Sequence, residues 1–235
     1  MAQISTTRLF RFIPNSNNLK KRYPTRQTMT TIVAIQGDGY AVVCTDSRVS
    51  SMDESGFAFQ ITTLGAGSSK IAQNGKYLLG AAGDVRAINI LHYSFVPPTP
   101  TPALKGKQLD AFITNKFVPA LRACFDESGY SLPERDSSEH LAEHNSTILV
   151  VINGTIYIID GDYSWTSDNN GIYAIGSGSP YALGAIQALT PKQKPTLQQA
   201  KNIAVKALNI TTKFDPYTGP PYQTYTQENP LPVRK

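Results

Sequence analysis

The stretch from residue 30 to residue 48, TTIVAIQGDGYAVVCTDSR, constrains the fold more than any other part of the chain. Two apolar runs, residues 31–35 and 40–44, flank Gly37-Asp38-Gly39, whose backbone freedom suits a tight reversal, so the segment reads as a β-hairpin. A threonine pair opens the first strand, and Thr45-Asp46-Ser47-Arg48 closes the second. Pairing the strands sets a hydroxyl and a carboxylate at neighbouring strand ends.

Downstream, the chain repeats this device. Asn74-Gly75 separates runs at 70–72 and 77–82, and Asn153-Gly154 separates β-branched runs at 146–152 and 155–160; both read as hairpins. Residues 172–175 read as one more strand, and residues 49–67, polar and rich in glycine and serine, as a loop with one brief strand near 57–61. Apolar residues at Val85, Ile88, Leu91 and Phe95 predict a helix over 84–96, capped by Asp84. A second helix is predicted over 107–127 from the stripe Leu109, Phe112, Ile113, Phe117, Leu121 and Phe125, with a kink at Pro119. Two more follow at 179–189, with Ser179 able to cap and Pro180 in the first turn, and at 197–208. Between the first two helices, Pro97, Pro98, Pro100 and Pro102 favour an extended surface connector. The C-terminal strand is expected to be short, over residues 222–226. Strands, two helices, strands and two helices fit α+β arrangements in which two stacked sheets lie between helical layers.

Length and charge narrow the class. A chain of 235 residues, 40% apolar and 17% charged, can bury a sizeable core. No apolar run approaches the ~20 residues of a membrane span. Cys44 and Cys124 are too few for a disulfide framework and suit a reducing compartment. The net charge of +5 does not mark a nucleic-acid surface, because Arg8, Arg11, Lys20, Lys21, Arg22 and Arg26 put six positive charges and no acidic residue into the first 28 positions. The remainder is close to neutral. Residues 1–29 are therefore read as a leader outside the fold (a propeptide, a targeting segment or a start placed upstream of Met29), and residues 30–235 as a single domain.

TTIVAI, a glycine turn, an apolar strand and Asp46-Ser47-Arg48 resemble the start of a proteasome β-type subunit, and TTIV is similar to the opening of the bacterial HslV peptidase. The sixteen positions from Thr30 to Asp46 match the family spacing. The resemblance implies a four-layer αββα sandwich of the N-terminal nucleophile hydrolase type and a threonine-type endopeptidase. Thr30 would become the amino terminus, its hydroxyl the nucleophile and its α-amine, with a pKa near ~8, the base. Lys70, before an apolar hairpin, matches the family lysine, and Asp46 would pair with it. Gly83, between strand and helix, matches the glycine whose amide stabilises the oxyanion. Ser177, in Gly176-Ser177-Gly178-Ser179, matches the serine beside the amine, and Asp215 and Thr218 match the family's supporting aspartate and serine. The resemblance further implies a peptide or protein substrate, a homo-oligomeric ring, an ATP-dependent unfoldase or other regulator, a cytoplasmic location, and no cofactor, metal, nucleic acid or membrane.

The chain departs from the family pattern in four places. Met29, not glycine, precedes Thr30; the stretch from Asp46 to Lys70 is longer than in HslV; the proline-rich insertion is unusual; and Pro220-Pro221 stand where the family has a further glycine and a strand. Two other readings follow from the residues. A silent subunit would keep the fold and its leader but lack a free Thr30 amine. His140-Leu141-Ala142-Glu143-His144 matches the H-x-x-E-H pattern of one class of zinc protease, in which two histidines four apart could hold a metal.

Overall fold

The computed structural model describes residues 27–52, 58–65, 67–131, 144–191 and 193–229, with the backbone alone at 27, 28, 51, 52 and 58–60. The leader up to Arg26 and residues 140–143 of the H-x-x-E-H pattern lie outside the described residues.

The hairpin at the start is β2 (Thr31–Gly37) and β3 (Tyr40–Asp46). Gly39 adopts a left-handed φ of 75° at their turn, where glycine carries no steric penalty. With β11 (Ile172–Gly176) and β12 (Tyr222–Glu228) they form a sheet of order β11-β2-β3-β12. The second sheet holds β1 (Gln27–Met29), β4 (Arg48–Met52), β5 (Ala58–Thr63), β6 (Ile71–Asn74), β7 (Tyr77–Asp84), β8 (Ser146–Ile152), β9 (Thr155–Ile159) and β10 (Trp165–Thr166). Its path runs β10-β9-β8-β7-β1-β4-β5, with β6 also paired to β7.

Strand alternation divides the apolar residues between three cores. Ile32, Ala34, Ala41 and Val43 face Leu78, Leu149 and Val151 across the two sheets. Their neighbours Val33, Ile35, Val42 and Cys44 pack instead against Ala182, Ile186, Ala204 and Leu208. Those residues belong to α4 (Ser179–Leu189) and α5 (Leu197–Thr211), the latter started by a capping box between Thr196 and Gln199. On the outer face of the larger sheet, Leu79, Ile148 and Val150 meet α1 (Val85–Tyr93), α2 (Lys107–Phe112) and α3 (Val118–Glu127). The expected αββα sandwich is the fold observed.

The long second helix is broken where Pro119 predicts it. Between α2 and α3, residues Ile113–Phe117 make a π turn, and Val118 N–H donates to Ile113 O. Leu109, Ile113, Phe117, Leu121 and Phe125 recur at every fourth residue and all are fully buried. In a continuous α-helix a four-residue stripe drifts by ~40° per step, so the wider π turn helps keep it facing the sheet.

Several sequence expectations need correction. The polar segment 49–67 holds a strand besides the one expected near 57–61: β4 pairs with β5 at the sheet edge, where solvated side chains such as Thr62 and Thr63 are tolerated. Ser179 does not cap α4; Gly178 occupies the N-cap. The proline-rich connector is tied to the body: Tyr77 Oη donates to Pro98 O at 2.6 Å, Asn153 Nδ2 to Thr101 O at 3.1 Å, and Pro100 is buried. β12 spans seven residues, pairing from Tyr222 opposite Asp46 to Glu228 opposite Tyr40, so that wall of the sheet is complete. Finally, residues 27–29 lie inside the larger sheet as β1, with Thr28 opposite both Ser51 and Gly83.

Candidate active site

The strand ends of both sheets converge where β2 begins. Asp46, the last residue of β3, is completely buried, and its carboxylate accepts from Thr31 N at 3.0 Å, Arg48 N at 3.0 Å and Gly219 N at 3.1 Å. Lys70, 4% exposed, completes the set with Nζ 2.6 Å from Asp46 Oδ1. Its ammonium also donates to Arg48 O. Burial pushes Lys70 below the ordinary lysine range, and the Asp46 carboxylate works against that shift. A buried pair is sustained only when its remaining hydrogen-bonding capacity is met, which these backbone partners accomplish.

A second polar cluster lies on the other side of β2. Asp215 Oδ2 accepts from Ser177 Oγ at 2.9 Å and Thr218 Oγ1 at 2.6 Å, and Thr218 Oγ1 is 2.6 Å from Thr31 Oγ1. Thr31 Oγ1 also accepts from Gly178 N at 3.1 Å. The adjacent threonines thus have different surroundings, as strand alternation requires: Thr31 is locked into the Asp215 cluster, while Thr30 shares a cavity of about 170 Å³ with Lys70, Val49 and Ala81.

The glycines of Gly176-Ser177-Gly178-Ser179 are set by close approach. A Cβ on Gly176, whose φ is 95°, would stand 1.7 Å from Thr30 O. One on Gly178 would stand 2.3 Å from Thr31 Oγ1 and 2.9 Å from Asp215 Oδ2. The motif is therefore the surface against which the start of β2 is pressed.

Gly83, next to last in β7, has φ of 124°, lies opposite Thr28, and lines an open cavity of about 610 Å³ with Met29, Ser146 and Ser177. Thr30, Asp46, Lys70, Gly83, Ser177, Asp215 and Thr218 thus gather around the beginning of β2. Sequence reasoning passed over three contributors. Thr31 bridges the two clusters, Gly178 supplies an amide donor, and Arg48 Nη1 donates to Pro216 O at 2.6 Å, holding the Asp215 loop. The threonine pair signalled the first, since adjacent strand residues face opposite ways.

Of the H-x-x-E-H pattern only His144 is described. It is 4% exposed, and its ring packs edge-on to Phe125 and Tyr163. Burial lowers its pKa to about 4.

Two packed sheets between helical layers make up the αββα fold, and Thr30, just before β2, shares a cavity with Lys70 of the buried lysine–aspartate pair. Residues 144–226 match the proteasome subunit family. The ATP-dependent protease subunit HslV of Campylobacter lari is 27% identical over 204 residues, covering 85% of this chain and 97% of that protein. HslV of Borrelia duttonii is 29% identical over 191 residues, covering 80% and 92%. Among solved structures, Thiobacillus denitrificans BPH in complex with epoxomicin has a TM-score of 0.63 at 20% identity, over 86% of this chain and all of that one. Eukaryotic HslV from Trypanosoma brucei has a TM-score of 0.54 at 20% identity, over 85% of this chain and 99% of that one. The chain thus shares the fold of these structures and is similar in sequence to HslV over most of its length.

Proposed function

We propose that the chain is a threonine-type endopeptidase in which Thr30, once first in the mature chain, is both the nucleophile and the bearer of its own base. The buried Asp46–Lys70 ion pair carries this reading, because Asp46 accepts from Thr31 N at the start of β2 and Lys70 shares a cavity with Thr30. Relatives named ATP-dependent protease subunits support it.

In this mechanism the freed α-amine takes the proton from Oγ1, which bonds to the substrate's carbonyl carbon while the C=O electron pair moves onto oxygen. The Gly83 N–H stabilises that oxyanion. Collapse breaks the C–N bond, and the amine returns the proton to the departing nitrogen. Water, deprotonated by the same amine, then opens the ester and restores Oγ1. The Lys70 ammonium, held by Asp46, disfavours a second positive charge and keeps the amine proton-accepting. Ser177, Asp215 and Thr218 orient the amine through hydrogen bonds.

Residues 27–29 run antiparallel to both β4 and β7, the path an extended substrate would follow by adding a strand. Cutting the Met29–Thr30 bond frees both the amine and this path. By the same likeness, the chain works as one subunit of a ring served by an ATP-dependent unfoldase, in the cytoplasm.

The test combines intact mass of the assembled protein with turnover of fluorogenic peptides by the wild type and Thr30→Ala. Loss of residues 1–29 and loss of turnover in the variant are expected. Undiminished turnover in Thr30→Ala removes the nucleophile, and an assembled chain that keeps its leader favours the silent-subunit reading.

A further inference from the structure

We propose that Tyr130 and Ser146 are positioning residues that fix the direction of the Gly83 amide. The inference rests on the reading of Gly83 as the oxyanion donor. At Gly83 the chain turns from β7 into α1, and it does so in a left-handed conformation that L side chains rarely adopt. The start of β8 presses on this turn: a Cβ on Gly83 would lie 2.3 Å from Asn145 O and 2.9 Å from Ser146 Oγ.

Packing alone does not fix the peptide planes on either side of Gly83; hydrogen bonds do. On one side, Ala82 is paired with Thr147 in the β7–β8 ladder. On the other, Asp84 N–H donates to Ser146 Oγ at 3.1 Å. Tyr130 Oη lies 2.7 Å from that Oγ and holds it in place. The Gly83 N–H lies in the Ala82–Gly83 plane, which the ladder holds, and the Ser146 bond pins the next plane, so rotation at Gly83 that would swing its N–H is resisted from both sides.

The brace is itself anchored. Asp84 Oδ1 accepts from Arg86 N at 2.8 Å, and the Arg86 guanidinium reaches Gly129 O at 3.3 Å and Ser128 O, just before Tyr130. The contacts close a ring through Asp84, Ser146, Tyr130, residues 128–129 and Arg86. The Tyr130 ring packs edge-on to Phe125 with centroids 4.9 Å apart. Burial pushes its hydroxyl up to about 12, so it stays protonated at neutral pH.

Tyr130→Phe and Ser146→Ala, separately and together, test the proposal in the full mature assembly with fluorogenic peptides. Removing an oxyanion donor outright costs about 100- to 1000-fold in kcat, so loosening one should cost about tenfold. The expected result is that fall in kcat with KM within about twofold, and a double variant no worse than the poorer single one, because both substitutions break one brace. A hydroxyl pair that merely satisfies burial would lower the thermal midpoint and leave kcat unchanged. Wild-type kcat in folded Tyr130→Phe or in folded Ser146→Ala overturns the proposal while Thr30→Ala remains inactive. Full turnover in Thr30→Ala overturns the reading beneath it.

Discussion

Replacing His144 by leucine should make the protein less sensitive to acid. His144 is 4% exposed and ringed by Phe125 and Tyr163, and burial lowers its pKa from 6.5 to about 4, with the nearby Asp162 carboxylate and a hydrogen bond to the Ser146 backbone opposing the shift. The unfolded chain therefore takes up this proton near pH 6.5 and the native chain only near pH 4. A native pKa below the unfolded value gives a contribution fully present above pH 6.5 and lost as pH falls through 4. Linkage across that window amounts to about 2 kcal/mol between pH 7 and pH 5, and about 3 kcal/mol in full. Leucine is of similar size and binds no proton. Urea unfolding of wild type and His144→Leu at pH 7 and pH 5 isolates the term, since every other titrating group cancels in the difference. The variant should gain about 2 kcal/mol relative to wild type on going to pH 5. A difference in unfolding free energy that is the same at both pH values would refute the account of a desolvated, neutral histidine.

Two further outcomes follow from the site. Asp46→Asn leaves the buried Lys70 ammonium without its counter-charge, so unfolding free energy should fall by about 3–5 kcal/mol and peptide turnover by more than about 100-fold; a wild-type urea midpoint would contradict the ion pair's role. Gly178→Ala would set a Cβ 2.3 Å from Thr31 Oγ1 and 2.4 Å from Thr211 Cγ2. It should lower stability by about 1–3 kcal/mol and displace the start of β2, with turnover falling alongside; unchanged melting and unchanged turnover together would show that the approach is not tight.

The readable parts of the chain were those with local causes. Each of the three hairpins announced itself by glycine between apolar runs, and each joins paired strands. α1 and α5 were visible as apolar stripes, α4 by Pro180 in its opening turn, and Pro119 marked the break between α2 and α3. What escaped was set by neighbours distant in sequence. β4 is polar and becomes a strand because it can pair with β5, itself expected near 57–61, at a sheet edge. β1 has three residues and no periodicity of its own; β4 and β7 supply its partners.

The same division holds at the site. Sequence alone determined which chemical groups are available and at what spacing: the threonine pair, Asp46 at the end of the hairpin, and the lysine, glycines, serine and aspartate that follow. Tertiary structure alone decided that Thr31 is bound to Thr218 across 187 positions of chain, that Gly219 N and Arg48 N complete the Asp46 carboxylate, and that His144 is sealed among aromatic rings. Those outcomes depend on which faces of which strands are brought together, and strand alternation constrains the faces while only packing of the two sheets selects the partners.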